Sequence, residues 1–177
     1  LLSLDILVFL VLLEDVDIKN YYYAVEGKAA AQVKLVLNVL ISEHTDVGYK
    51  GLWSIYEFTD TKDGRVLDIY STCDWTYLDD QCGNYSNVCD CYNREHVVPQ
   101  SWFNKQSPMV SDAFHIYPTD GKVNGIRNNY PHGETNASLI GGKALGKLGK
   151  SSVEGYSGTV YEPDDEYKGD IARTYFY

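Results

Sequence analysis

Apolar residues recur at three- and four-residue spacing between Tyr21 and Ser42, at Val25, Ala29, Ala30, Val33, Leu37, Leu40 and Ile41, and that period predicts an amphipathic helix. A polar loop, His44-Thr45-Asp46, follows it. Trp53, Ile55, Tyr56 and Phe58 then form a short aromatic element that ends at Thr59-Asp60-Thr61-Lys62-Asp63-Gly64, where Asp-Gly signals a turn. Val66, Leu67, Ile69 and Tyr70 read as the returning strand, with Asp68 interrupting its apolar run and turned to solvent. Residues Asp79 to Asn87 are polar and read as a loop. A strand of β-branched character, Asn93 to Val98, is stopped by Pro99. The segment Ser111 to Asn129 reads as a short strand, a Pro/Gly turn and a polar helical turn with Asn124 and Arg127 three apart on one face. Gly141 to Lys150 is glycine-rich and basic, which suggests a mobile loop able to touch phosphates, with a plain flexible linker as the alternative. Gly155 to Tyr161 reads as a strand, and Asp170 to Tyr177 as the opening of a helix capped by Asp170.

At the N-terminus, Ile6 to Leu13 are eight consecutive apolar residues, too few to span a bilayer. They have the length of an export-signal core, yet Asp5, Glu14, Asp15 and Asp17 surround them. For residues 1–18 an export-signal remnant and a buried strand both stand open, and 19–177 reads as a single domain. A chain of 177 residues can remove roughly 70% of its unfolded surface from water.

Two side chains carry the candidate chemistry. Glu95 and His96 stand side by side, and neighbours on a regular strand point to opposite faces. Both can serve one site only where the strand bends or ends, as Pro99 allows. A net charge of −10 argues against a polyanionic partner, but it is unevenly spread. Tyr92 to Lys150 holds seven bases and four acids, so a phosphate-binding face can sit within an acidic protein. Four cysteines, Cys73, Cys82, Cys89 and Cys91, lie just ahead of Glu95. Without a Cys-x-x-Cys spacing they point to disulfides in an oxidising compartment rather than to zinc, with three connectivities open.

The run Asn-Arg-Glu-His-Val-Val-Pro-Gln-Ser-Trp-Phe from Asn93 to Phe103, with Asp112 to Asn129, resembles the endonuclease I family of secreted bacterial nucleases, of the ββα-metal (His-Me finger) group. Asp80 to Tyr85, Tyr130 to Glu134, Tyr161 to Pro163 and Lys168 to Arg173 extend the likeness, in family order, over Tyr22 to Tyr177. The resemblance implies an α+β fold with a ββα-metal nuclease core and flanking helices, built on strands Asn93–Val98 and Ala113–Tyr117 and the helix bearing Asn124. It implies His96 as general base and Glu95 and Asn124 as ligands of one Mg²⁺, with Ca²⁺ or Mn²⁺ as alternatives. It also implies DNA, or RNA as well, cut with little sequence preference to leave 5′-phosphates, by a secreted or periplasmic monomer with no membrane partner. Arg127 and Arg94 offer fork-shaped donors for a phosphate. Cys82 with Cys91 is the pairing the resemblance favours, since Cys73 and Cys89 lie outside its motifs. Family members continue beyond the last helix, so the sequence reads as one lacking a C-terminal part.

Other readings compete. His96, His115 and His132 could form a zinc triad, although their spacing matches no common pattern; His115 between Phe114 and Ile116 reads better as a buried brace, and His132 as part of a turn. A non-catalytic, disulfide-stapled binding module is the rival from another class.

Overall fold

The computed structural model describes residues 21–177, so the expectation for residues 1–18 lies outside the described residues. The chain divides into two compact units, Leu1–Thr45 and Asp46–Tyr177. In the first, a 3-10 turn at Tyr23–Val25 precedes helix α1, Ala30–Ser42. The predicted Tyr21–Ser42 helix is broken because Gly27 takes a left-handed φ of 68°, which stops helical bonding.

The second unit is α+β. Helix α2 spans Gly48–Thr59, followed by β1 (Thr61–Lys62), β2 (Arg65–Val66) and β3 (Trp75–Thr76) in one antiparallel sheet. Strands β4 (Tyr92–His96) and β5 (Ile116–Asp120) form a second, and helix α3 (Gly121–Arg127) follows β5 directly. Strands β6 (Leu139–Gly141), β7 (Ala144–Lys150) and β8 (Thr159–Glu162) make the third sheet, and α4 (Asp165–Phe176) follows it. No helix among the described residues is long and apolar enough to cross a membrane.

Several elements differ from the sequence reading for local reasons. The aromatic element is helix α2, whose buried residues Leu52 and Tyr56 lie one turn apart and pack on Ile116 of β5. The Asp-Gly turn is as expected, with φ of 52° at Asp63 and 76° at Gly64, the pair of left-handed residues a two-residue hairpin requires. The strand after it ends at Val66, because Asp68 faces inward rather than to solvent and is 5% exposed. Its carboxylate accepts bonds from the backbone N–H of Tyr70, Ser71 and Asp120, from the Ser71 hydroxyl and from the Trp75 indole, folding the backbone around it. The basic stretch Gly141–Lys150 is no loop but part of the β6–β7 hairpin. Gly146 within it has φ 92°, and a Cβ there would lie 2.6 Å from the Tyr161 hydroxyl, so only glycine lets this ring pack against the strand. Helix α4 starts five residues ahead of Asp170, capped by Asp164, whose carboxylate accepts from the Glu166 N–H.

The first strand of the central pair is fixed before it begins. Disulfides join Cys73 to Cys89 and Cys82 to Cys91. Tyr92 N–H donates to the Asp80 carbonyl, and Cys82 N–H to the Tyr92 carbonyl. A core of Ile69, Tyr70, Val97, Val123, Ala144, Tyr161 and Ile171 packs under β4 and α3, so the strand carrying Glu95 and His96 has little freedom to move.

Candidate active site

Strand β4 is regular through its last residue. Glu95 pairs with Tyr117 and His96 with Ile116 in the antiparallel register, so their side chains take opposite faces. Asn93 and Glu95 face α3, whereas Tyr92, Arg94 and His96 face α2. Strand β5 starts later than predicted because the Asp112 carboxylate accepts from the Phe114 N–H and holds that segment in a turn. Its end is also a helix cap: Asp120 Oδ1 accepts from Val123 N–H at 2.8 Å, and Oδ2 from Cys89 N–H at 2.6 Å. Helix α3 is thereby set over β4 in register, with Asn124 on Asn93 and Arg127 on Glu95.

On that face Glu95 is 2% exposed. Its Oε1 accepts from Arg127 at 2.5 Å and from the Tyr70 hydroxyl at 2.9 Å, while Oε2 accepts no hydrogen bond from a described residue. Burial pushes the Glu95 carboxyl up to about 7, against the opposing pull of Arg127 and Tyr70. Asn124 donates its amide N–H to Asn93 Oδ1 at 2.8 Å. With its amide nitrogen engaged there, Asn124 Oδ1 accepts no hydrogen bond from a described residue. A carboxyl oxygen and an amide oxygen on the same side of β4, neither accepting from a described residue, fit a hard divalent cation that keeps several of its waters.

Arg127 is not placed as an exposed phosphate grip. Its guanidinium is 1% exposed and donates to Glu95, to the His96 and Val97 carbonyls and to the Tyr130 carbonyl. It was legible as a charged partner for the site but not as a buried strut.

On the opposite face His96 stacks on Tyr49 and is flanked by Phe103 and His115. Its Nε2 lies 3.2 Å from the Val110 carbonyl and its Nδ1 3.2 Å from the Gln100 amide nitrogen. A carbonyl can only accept, so Nε2 carries the proton and Nδ1 is the basic nitrogen, covered by a flexible side chain. Burial holds the His96 pKa down to about 4, with His115, Arg94 and Arg127 adding to the effect, so the ring is neutral near pH 7. Arg94 is also occupied. It lies over the Tyr49 ring at 3.6 Å and the Trp53 ring at 4.4 Å and donates to the Tyr49 carbonyl, which ties it to α2.

His115 is a buried brace, its Nε2 2.6 Å from the Met109 carbonyl. His132 belongs to the Glu95 face, between the Tyr70 hydroxyl at 2.7 Å and the Tyr175 hydroxyl at 2.9 Å. Burial, with Arg127, depresses its pKa to about 3. His96, His115 and His132 therefore do not converge, and the zinc triad is not formed. Among the described residues, the one cluster of three His, Cys, Asp or Glu ligand atoms is Cys73, Cys89 and Asp120, whose sulfurs are spent in a disulfide. Tyr70, Tyr175, Gln100 and Asn93 were missed as site residues; only the position of Asn93, two before Glu95 on one strand face, was a signal available beforehand.

A twice-bonded carboxylate, an oriented amide and an imidazole of fixed tautomer at the end of a ββα unit describe a hydrolase-like centre in an α+β fold. The family model for endonuclease I matches residues 29–177, and the chain belongs to that family. It is 32% identical over 168 residues to an extracellular ribonuclease of Bacillus subtilis, covering 91% of this chain and 53% of that protein. An extracellular ribonuclease of Bacillus amyloliquefaciens is 31% identical over 166 residues, with the same coverage. Endonuclease-1 of Buchnera aphidicola is 28% identical over 102 residues, 47% of this chain and 38% of that protein. The chain spans about half the length of the Bacillus relatives it matches.

Proposed function

We propose that the protein is a secreted, metal-dependent endonuclease of low sequence preference that hydrolyses phosphodiester bonds in DNA and RNA and leaves 5′-phosphate ends. The observation that carries this reading is the ββα unit, with Glu95 and Asn124 on one face of β4 and His96 on the other at the strand's last residue, so that a phosphate lying across the strand end meets both. Two disulfides and the names of the Bacillus relatives support an extracellular location.

His96 acts as general base. With Nε2–H held by the Val110 carbonyl, Nδ1 takes a proton from water once the Gln100 side chain turns aside. The hydroxide forms a bond to phosphorus, the bond to the 3′ oxygen breaks, and that oxygen leaves to be protonated by solvent. Glu95 Oε2 and Asn124 Oδ1 would hold one Mg²⁺, or Mn²⁺ or Ca²⁺, which supplies positive charge against the oxyanions of the transition state. Arg127 keeps Glu95 and the carbonyls flanking the strand end in place. Since none of these groups reads a base edge, low sequence preference follows.

The test is end-group analysis of RNA and DNA cut in Mg²⁺. Attack by water predicts 5′-phosphate and 3′-hydroxyl ends on both. A 2′,3′-cyclic phosphate on the RNA would show attack by the ribose hydroxyl and contradict the mechanism.

A further inference from the structure

We infer that Tyr70 and His132 are positioning residues for the cation: they hold Glu95 so that Oε2 alone is presented as ligand. The inference rests on the reading of Glu95 and Asn124 as the ligand pair. Tyr70 is fully buried and reaches both Glu95 Oε1 and His132 Nε2. His132 Nδ1 reaches the Tyr175 hydroxyl, which lies 3.1 Å from the Val97 carbonyl. Arg127 bonds that same carbonyl and Glu95, so the six groups close a ring.

Each hydroxyl has one proton and the neutral imidazole one N–H, so the ring admits a limited set of directions. A carboxylate only accepts. Tyr70 must then donate to Glu95 and His132 Nε2–H to the Tyr70 oxygen, while the one Tyr175 proton lies between two acceptors, the Val97 carbonyl and His132 Nδ1. The Tyr70 and His132 protons both point toward Oε1, which engages that oxygen and leaves the second one outside the ring. In the reverse direction Tyr70 would give its proton to His132 and set two oxygens with lone pairs facing each other. The carboxylate at one end thus sets the direction, and His132 supplies the N–H that keeps the Tyr70 proton on Glu95. Groups that orient a metal ligand typically change affinity by about 10–100-fold when removed.

The experiment is calorimetric titration of the metal-free protein with Mn²⁺, alongside its KM for nucleic acid and its melting temperature without metal. Tyr70→Phe and His132→Leu are expected to weaken Mn²⁺ binding about tenfold or more, with KM for nucleic acid unchanged. His132→Gln keeps an N–H toward Tyr70 and is expected to stay within about threefold of the parent. Parent-like Mn²⁺ affinity in folded Tyr70→Phe or His132→Leu overturns the inference, as does equal loss in His132→Gln and His132→Leu. Glu95→Ala separates the two levels: if it too binds Mn²⁺ like the parent, the ligand assignment itself fails.

Discussion

Replacing Arg127 by Met distinguishes a buried strut from a phosphate grip. The side chains of Arg127 and Glu95 are 1% and 3% exposed, so removing the cation leaves a buried, half-compensated carboxylate. Breaking such a pair from one side costs about 3–5 kcal/mol. The His96, Val97 and Tyr130 carbonyls also lose a donor, though Val97 keeps Tyr175, and these losses overlap with the first. The expected loss is about 4 kcal/mol out of the roughly 5–15 kcal/mol typical of a domain. Adding Glu95→Gln removes the stranded anion and should recover about half of it. Urea unfolding followed by Trp and Tyr fluorescence, compared at constant m-value, reads both effects. A loss under about 1 kcal/mol, joined to a raised KM for nucleic acid, would refute the strut and restore the grip.

Two further perturbations follow from buried or cross-linked groups. Burial pushes the Asp60 carboxyl up to about 6, against the Thr59 hydroxyl that favours its charge. A folded-state pKa above the unfolded one means its contribution is fully present below about pH 4 and lost as pH rises through 6. Asp60→Asn should therefore stabilise the protein at pH 7 by about 1–3 kcal/mol and leave it unchanged near pH 3.5; an equal gain at both values in pH-resolved melts would refute the assignment. The disulfides close loops with sequence separations of 16 and 9, so removing either pair as a double Ala variant should cost about 3 kcal/mol. Unfolding midpoints in urea check this, and a loss below about 1 kcal/mol for either would contradict it.

Local signals carried the chain a good distance. Asp-Gly set a hairpin turn, and Asn124 and Arg127 share the α3 face that meets β4; the strand expected over Asn93–Val98 lies at Tyr92–His96, so the β-branched Val97 and Val98 fall just beyond its end. The alternation rule holds for Glu95 and His96, which take opposite faces of β4; the bend expected to bring both to one side does not occur within the strand, which ends at His96. Long-range pairing was not legible. Asp68 looked like a solvent-facing break in a strand because nothing local shows that Trp75 and Asp120 come to meet it. Arg127 and Arg94 looked like free cations because their partners, Glu95 in one case and Tyr49 with Trp53 in the other, are thirty to forty-five residues away. The ring through Tyr70, His132 and Tyr175 joins three segments from different parts of the chain, and no spacing announces it.

The most direct test of the central claim is digestion of supercoiled plasmid and single-stranded RNA by the purified 177-residue chain, with Mg²⁺, with EDTA, and with His96→Ala. The account predicts Mg²⁺-dependent cleavage of both substrates, abolished by EDTA and lowered at least about 100-fold in the variant, as loss of a general base requires. Cleavage that persists in EDTA, or a His96→Ala chain that turns over at the parent rate, would contradict it.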